Sequence, residues 1–206
     1  MGDTKNTPSP TENVPAESPA HGSVTVPTTL PDPPPRGRIR SINTSVRKGT
    51  RKTPLAQGSV RIALASGLEG DAHAGSWHRQ VSFLAEESIA RAREMGLDVK
   101  EGDFAENFTT EGIELYSLPV GTVFKLGDTE VEISQIGKVC HTRCAIYHLA
   151  GDCIFPREGI FGVVRKEGTV RVGDEMSVLE WGTGSCEATP PEALAEVDAA
   201  RKAGTL

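Results

Sequence analysis

Thr122-Val123-Phe124-Lys125-Leu126-Gly127-Asp128-Thr129-Glu130-Val131-Glu132-Ile133-Ser134 decides the fold. Two runs rich in β-branched and aromatic residues flank Gly127-Asp128, a turn composition, so the stretch reads as a β-hairpin. Val131 and Ile133 face one side of the second strand; Glu130 and Glu132 face the other. The same texture continues downstream. Val163-Val164-Arg165 and Thr169-Val170-Arg171-Val172 flank Lys166-Glu167-Gly168, and Glu175-Met176-Ser177-Val178-Leu179 follows Gly173-Asp174. Upstream, Ile39–Asn43, Ser59–Leu64 and Val81–Leu84 are further strand candidates. Glu86–Met95 breaks the pattern. It has acids in its first turn, strong helix formers, later arginines and Gly96 at the position after its end, which predicts a helix. Many short strands with Gly-rich turns and one or two helices predict a mainly β protein, a small barrel or sandwich.

This folded unit is expected over residues 37–182. Residues 1–36 hold nine of the fourteen prolines, many Ser and Thr, and almost no large apolar side chains. Such a segment cannot bury enough apolar surface to offset its ordering entropy, so it reads as a disordered tail. Residues 183–206 are small, acidic and Ala-rich; Pro191–Val197 is a candidate short helix there, and Cys186 reads as an isolated surface thiol. The net charge of −6 argues against a general nucleic-acid or anionic-membrane binder. No apolar run approaches the roughly 20 residues that span a bilayer. No secretory or transit pattern opens the chain, so the cytoplasm is the expected compartment.

In that compartment cysteines stay reduced and read as reactive thiols or metal ligands. Three of the four, Cys140, Cys144 and Cys153, fall within fourteen residues, among His141, Arg143 and His148. Nearby cations favour the thiolate, the form that attacks or ligates. Three chemistries fit: a zinc site on the three thiols with His141 or His148, one thiolate on a soft transition metal such as molybdenum, or a persulfide carrier with a resolving neighbour. Small buried hydrophobes are the plain alternative. A second cluster, Gly67–Gln80, packs glycines, Asp71, His73, Trp77, His78 and Arg79 together. Glycine lets a backbone approach a ligand, Arg79 offers a planar fork for phosphate or carboxylate, and the histidines can donate, accept or ligate. A structural turn would use the same residues. Gly102–Ile113 reads as a polar loop in which Glu106 and Asn107 could bond a heterocycle edge. Lys138, Arg143 and Arg157 bracket the cysteines and are candidates for an anion pocket. No GxGxxG or P-loop is present.

Taken in order, five segments resemble the MOSC domain, the molybdenum cofactor sulfurase C-terminal domain, in its small stand-alone bacterial form: GDAHAG (70–75), HRQVSFLAEES (78–88), GDFAENFTTEGI (102–113), QIGKVC ending at Cys140, and PREGIF followed by VGDEM. The resemblance implies a β-barrel with peripheral helices that binds molybdenum cofactor (molybdopterin), relays sulfur to it, or uses it for reduction. A sulfurtransferase-type or cofactor-dependent reductase activity is implied; the alternatives are a non-catalytic carrier or binding module, and, from the thiol cluster, a zinc-stabilised structural domain. Cys140 matches the family's cysteine, as sulfur carrier or molybdenum ligand; Cys144 and Cys153 are additional. Arg79, Lys138, Arg143 and Arg157 are then candidates for the cofactor phosphate, and Asp71, His73, Glu106 and Asn107 for the pterin edge, with His78 a further cofactor-binding candidate. The chain has no room for a pyridoxal phosphate domain, so a separate cysteine desulfurase-type donor, or a molybdoenzyme acceptor, is the expected partner. Cys140 is expected at the mouth of the barrel.

Overall fold

The computed structural model describes residues 29–140 and 153–206. The tail expected over residues 1–36 lies mostly outside these, as do His141, Arg143, Cys144 and His148. Seven strands form a closed barrel: β1 (Arg36–Thr44), β5 (Val81–Ala85), β6 (Phe108–Glu111), β7 (Val123–Leu126), β8 (Thr129–Ile136), β9 (Ile160–Lys166) and β11 (Glu175–Glu180). Around the barrel the order is β11-β7-β8-β9-β5-β6-β1, and β1 closes it onto β11 with Arg36 opposite Ser177 and Arg38 opposite Glu175. Every pairing is antiparallel except β5–β6. A parallel pair needs a crossover connection. Here α1 (Glu86–Glu94) supplies it, and Gly96 follows its end at φ +91°.

Outside the barrel, β2 (Thr53–Pro54) pairs with β1, and a small second sheet joins β10 (Gly168–Arg171) to β3 (Ser59–Ala63) and β4 (Gly67–Leu68). Thus β9 and β10, adjacent in sequence, do not pair with each other: β9 lies between β8 and β5, and the chain after Lys166 pairs with β3 instead. Two short helices complete the described residues, α2 (Phe155–Glu158) and α3 (Pro191–Lys202). The latter runs five residues past the expected Val197. No helix among the described residues is long and apolar enough to cross a membrane.

Alternation builds the core. Ile39, Phe83, Phe108, Phe124, Val131, Ile133, Ile160 and Met176 point into the barrel and are almost wholly buried. Phe83 stacks on Phe108 with ring centres 5.2 Å apart and meets Phe124 edge-on at 5.3 Å. Fully burying each ring stabilises by about 2–3 kcal/mol. The bore is therefore filled by side chains. A second cluster, Leu84, Ile89, Val99, Phe104, Ile154, Phe155 and Phe161, packs α1 and α2 against the outer face of the wall.

Two readings change. Gly102–Ile113, read as a loop, ends in barrel strand β6; its threonines disguise it, because Thr109 and Thr110 are fully buried in a polar layer. Cys186, read as a surface thiol, is buried, and burial pushes its pKa up.

The segment leading to Cys140 is zipped to α2. The Gly137 N–H donates to the Gly159 carbonyl at 2.7 Å and the Lys138 N–H to the Pro156 carbonyl at 2.9 Å. Gly137 has φ +75°, and a Cβ there would lie 2.3 Å from the Pro156 oxygen. Gly137→Ala is therefore expected to cost about 2 kcal/mol or more, from the left-handed backbone and the clash together. Urea denaturation checks it, as a lower midpoint with an unchanged slope.

Candidate functional site

Ser82 lies between Val81 and Phe83, which face the bore, so its side chain faces outward, opposite Phe161 in register. Those two residues floor a cleft of about 180 Å³, walled by His73, Trp77, Arg79, Phe104, Ala105, Asn107, Lys138 and Phe155. It opens on the outer face of the barrel near the end of β8, beside the segment that carries Cys140, and not into the bore.

Three loops build it. Asn107 ends the loop before β6 and clasps β5: its Oδ1 accepts the Ser82 N–H at 3.1 Å and the hydroxyl at 3.0 Å, while its N–H reaches the Ser82 carbonyl at 2.9 Å. The parallel β5–β6 register brings these distant segments together. The loop from Asp71 to Gln80 supplies the opposite wall. Trp77 donates its Nε1–H to the His73 carbonyl at 2.9 Å and stands 37% exposed. The Arg79 guanidinium lies 5.2 Å from the Trp77 ring centre and 5.5 Å from that of Phe161. This places a planar cation between two aromatic faces. Arg79 Nε is buried and has no hydrogen-bond partner. Burial lowers the guanidinium pKa from its ordinary value, and Glu196 on α3 opposes that. The third loop, after β8, brings Lys138, whose Nζ lies 5.9 Å from the Phe155 ring centre.

Asp71 and Glu106 lie behind the wall. The Asp71 carboxylate accepts the Lys52 ammonium at 2.5 Å, the Ser45 N–H at 3.1 Å and the His73 N–H at 2.9 Å. Burial alone would raise its pKa, but the bonds from His73 and Lys52 prevail and hold it well below the usual carboxylate range. Burial pushes the Lys52 ammonium the other way from its ordinary value, against the pull of Asp71. Glu106 is fully buried. Its Oε1 accepts the Gly102 N–H at 2.5 Å and the Thr109 hydroxyl at 3.0 Å, while Oε2 has no partner. Burial raises its pKa to about 7.

His78 turns away from the cleft toward α3. Gln135 donates its Nε2–H to the Gly137 carbonyl at 2.8 Å, which leaves its Oε1 to accept from His78 Nε2 at 3.1 Å. Burial, then the charge of Arg79, lowers the His78 pKa. The α3 segment is itself docked on β8: Thr189 donates to the Ser134 carbonyl at 2.7 Å and Arg201 to the Ile136 carbonyl at 3.1 Å.

Of the expected site residues, the fold thus gathers His73, Arg79, Asn107 and Lys138 on one cleft. Cys140 is exposed two residues beyond Lys138. Cys153 is half-buried against the second cluster, and Arg157 sits on α2, the helix that brings Phe155 to the cleft. Arg143 and Cys144 fall outside the described residues. Among those residues, no group of three or more His, Cys, Asp or Glu side chains is placed to hold a metal. Sequence reasoning missed Lys52 and the aromatic walls Phe104, Phe155 and Phe161. Nothing local marks a buried lysine within RKGTRK, and phenylalanines read first as core.

The chain belongs to the MOSC domain family, whose model matches residues 70–177. That family is associated with molybdenum cofactor binding. Among solved structures, the chain is similar to the YuaD protein from Bacillus subtilis, with a TM-score of 0.58 at 17% identity over 71% of this chain and 97% of that one. It is similar to YiiM from Geobacillus stearothermophilus, with a TM-score of 0.56 at 20% identity over 80% and 83% of the two chains. YiiM from Escherichia coli gives 0.56 at 16% identity over 82% and 94%. At these identities the likeness speaks to the fold. No curated protein matches the chain.

The buried carboxyl of Glu106 gives a pH signature. Its pKa is about 7 in the folded state against about 4.5 unfolded, so the native state holds the proton more tightly. Stability should then fall as pH rises from about 4.5 to about 7, by on the order of 3 kcal/mol if Glu106 acts alone. Glu106→Gln keeps the shape and removes the ionisation. Chemical denaturation should find this variant more stable than the parent at pH 8 and level with it below pH 4.5.

Proposed function

We propose that this protein binds the phosphorylated pterin of the molybdenum cofactor at the cleft, and that Cys140 is its working thiol. The observation that carries the reading is Arg79, a cation with a buried, unpartnered Nε held between two aromatic rings on a cleft that also takes Lys138. A donor set of this kind suits an anion with flat, polarisable surroundings, as a phosphate on a pterin provides. The cleft volume is below the roughly 300–1,000 Å³ of ordinary small-molecule sites, so it suits one end of such a ligand. Arg79 and Lys138 would hold the phosphate, and His73 and the aromatic walls the ring edge and face. The bound cofactor supplies a molybdenum centre open to sulfur and oxygen ligands.

Cys140 stands at the end of a segment fixed to α2 by two backbone hydrogen bonds, exposed to a partner. As a sulfur carrier, its thiolate attacks the terminal sulfur of a donor persulfide. A new S–S bond forms at Cys140 Sγ, the donor's S–S bond breaks, and the electron pair departs on the donor thiolate. The donor is a separate cysteine desulfurase-type protein that carries its own pyridoxal phosphate. The alternative use of the same thiolate is ligation of the metal, within a reductase or a carrier. A free thiol of this kind needs a reducing compartment, so we place the protein in the cytoplasm.

Mass spectrometry of gently purified protein tests the reading: a pterin, molybdenum and a sulfur adduct on Cys140 are expected. Arg79→Met should weaken cofactor binding by about 10- to 100-fold, the worth of a charge-assisted hydrogen bond. Cys140→Ser should lose the adduct; undiminished sulfur transfer by that variant would refute the role of the thiol.

A further inference from the structure

A lysine and an aspartate side chain that are both 1% exposed are an unusual thing to keep buried in a small protein. Replacing such a pair by apolar residues is often neutral or stabilising, so its retention asks for a reason beyond stability. The reason is next to it. The Lys52 Nζ that donates to Asp71 Oδ2 at 2.5 Å also lies 3.4 Å from His73 Nδ1, and His73 lines the cleft.

Histidine can carry its neutral-form proton on either nitrogen, and the neighbours of Nδ1 decide which. Two groups compete there. Asp71 Oδ1, at 3.4 Å, would accept a proton from Nδ1. Lys52 is donor-only and would confront that proton with its own. The Asp71 carboxylate already accepts three donors, the His73 and Ser45 N–H groups and the Lys52 ammonium, so a fourth from Nδ1 adds least to it. The Lys52 ammonium, sealed from water, would by contrast lose an acceptor, and an unmet buried N–H is costly, the more so when charged. The balance puts a lone pair on Nδ1 and the proton on Nε2. Nε2 has no partner among the described residues.

We propose that Lys52, held in place by Asp71, is a positioning residue that fixes His73 as an Nε2–H donor toward the cleft. The cleft then selects a ligand presenting an acceptor at that point: a carbonyl or phosphate oxygen, or an unprotonated ring nitrogen. A ligand that presents an N–H there meets a donor and is rejected. The ligand part rests on the reading of the cleft as a binding site; the tautomer does not.

Long-range ¹H–¹⁵N correlation spectra of the full-length protein at pH 8 test it directly. The His73 ring should show a pyridine-type Nδ1 and a pyrrole-type Nε2; the reverse pattern in the parent protein overturns the proposal. In Lys52→Met the balance passes to Asp71 and the pattern should invert, which loss of packing alone would not produce; an unchanged pattern in that variant, if it folds, also overturns the role of Lys52. Should that variant fail to fold, the parent spectrum still decides. For selection, 6-hydroxymethylpterin serves as probe, with inorganic phosphate alongside. His73→Leu should weaken pterin binding about 10-fold, and His73→Gln, whose Nε2–H replaces the ring donor, should restore most of it; equal weakening in both refutes the donor's part. If the parent binds neither probe, the ligand part falls with the proposed function, and the spectrum still judges the tautomer.

Discussion

Closure of the sheet between Arg36–Arg38 and Glu175–Ser177 is the constraint on which the rest depends. Without that pairing, β1 and β11 would be two unpaired edges of a strongly twisted sheet. With it, the backbone groups along both edges find partners, and the apolar face of every strand is turned onto one filled bore. The ion pairs that decorate the seam, such as Arg36–Glu175 at 2.7 Å, are exposed and add little. Backbone pairing and the packing of Phe83, Phe108 and Phe124 do the closing.

A filled bore forces function to the outside of the wall. Outward residues of β5 and β9 floor the cleft, and the loops before β5 and β6 and after β8 supply its walls. Behind them runs a polar layer that holds those loops in register. Ser41 donates to Asn43 at 2.7 Å, Asn43 to Thr109 at 3.2 Å, and Thr109 to Glu106 at 3.0 Å. The Lys52–Asp71 pair adjoins this layer. Buried polar groups of this kind define one arrangement sharply, because each misplacement leaves a donor or acceptor unmet. Ala105, at φ +68° on the cleft wall, is a further local cost that the surrounding bonds sustain.

Much of this was legible in the chain, and particular residues show why. The β7–β8 hairpin, α1 with Gly96 after it, and strands β1, β3, β5 and β11 follow from period-two alternation and turn chemistry, which are local. So does the candidate set His73, Arg79, Asn107 and Lys138, because their neighbours form a recognisable family pattern. Strand β6 was missed because its Phe and Thr residues sit within a polar stretch of glycines and acids, Gly102 to Gly112. Lys52 was missed because burial of a lysine is decided by partners that lie nineteen and twenty-one positions away. Cys186 was misread because its own loop folds back on β8, where Glu132 meets the thiol and Thr189 donates to the Ser134 carbonyl.

The amino-acid sequence by itself determined most of the strands, the crossover helix, and which residue types are on offer to a ligand. Those choices rest on interactions between near neighbours. The tertiary structure alone decided that the cleft lies outside the barrel, that Asp71 and Glu106 stand behind its wall while His73 and Arg79 stand on it, and that a buried lysine meets the Nδ1 side of His73. The physical reason is that burial, and with it the strength of every charge and hydrogen bond, is a property of the assembled fold and of no residue alone.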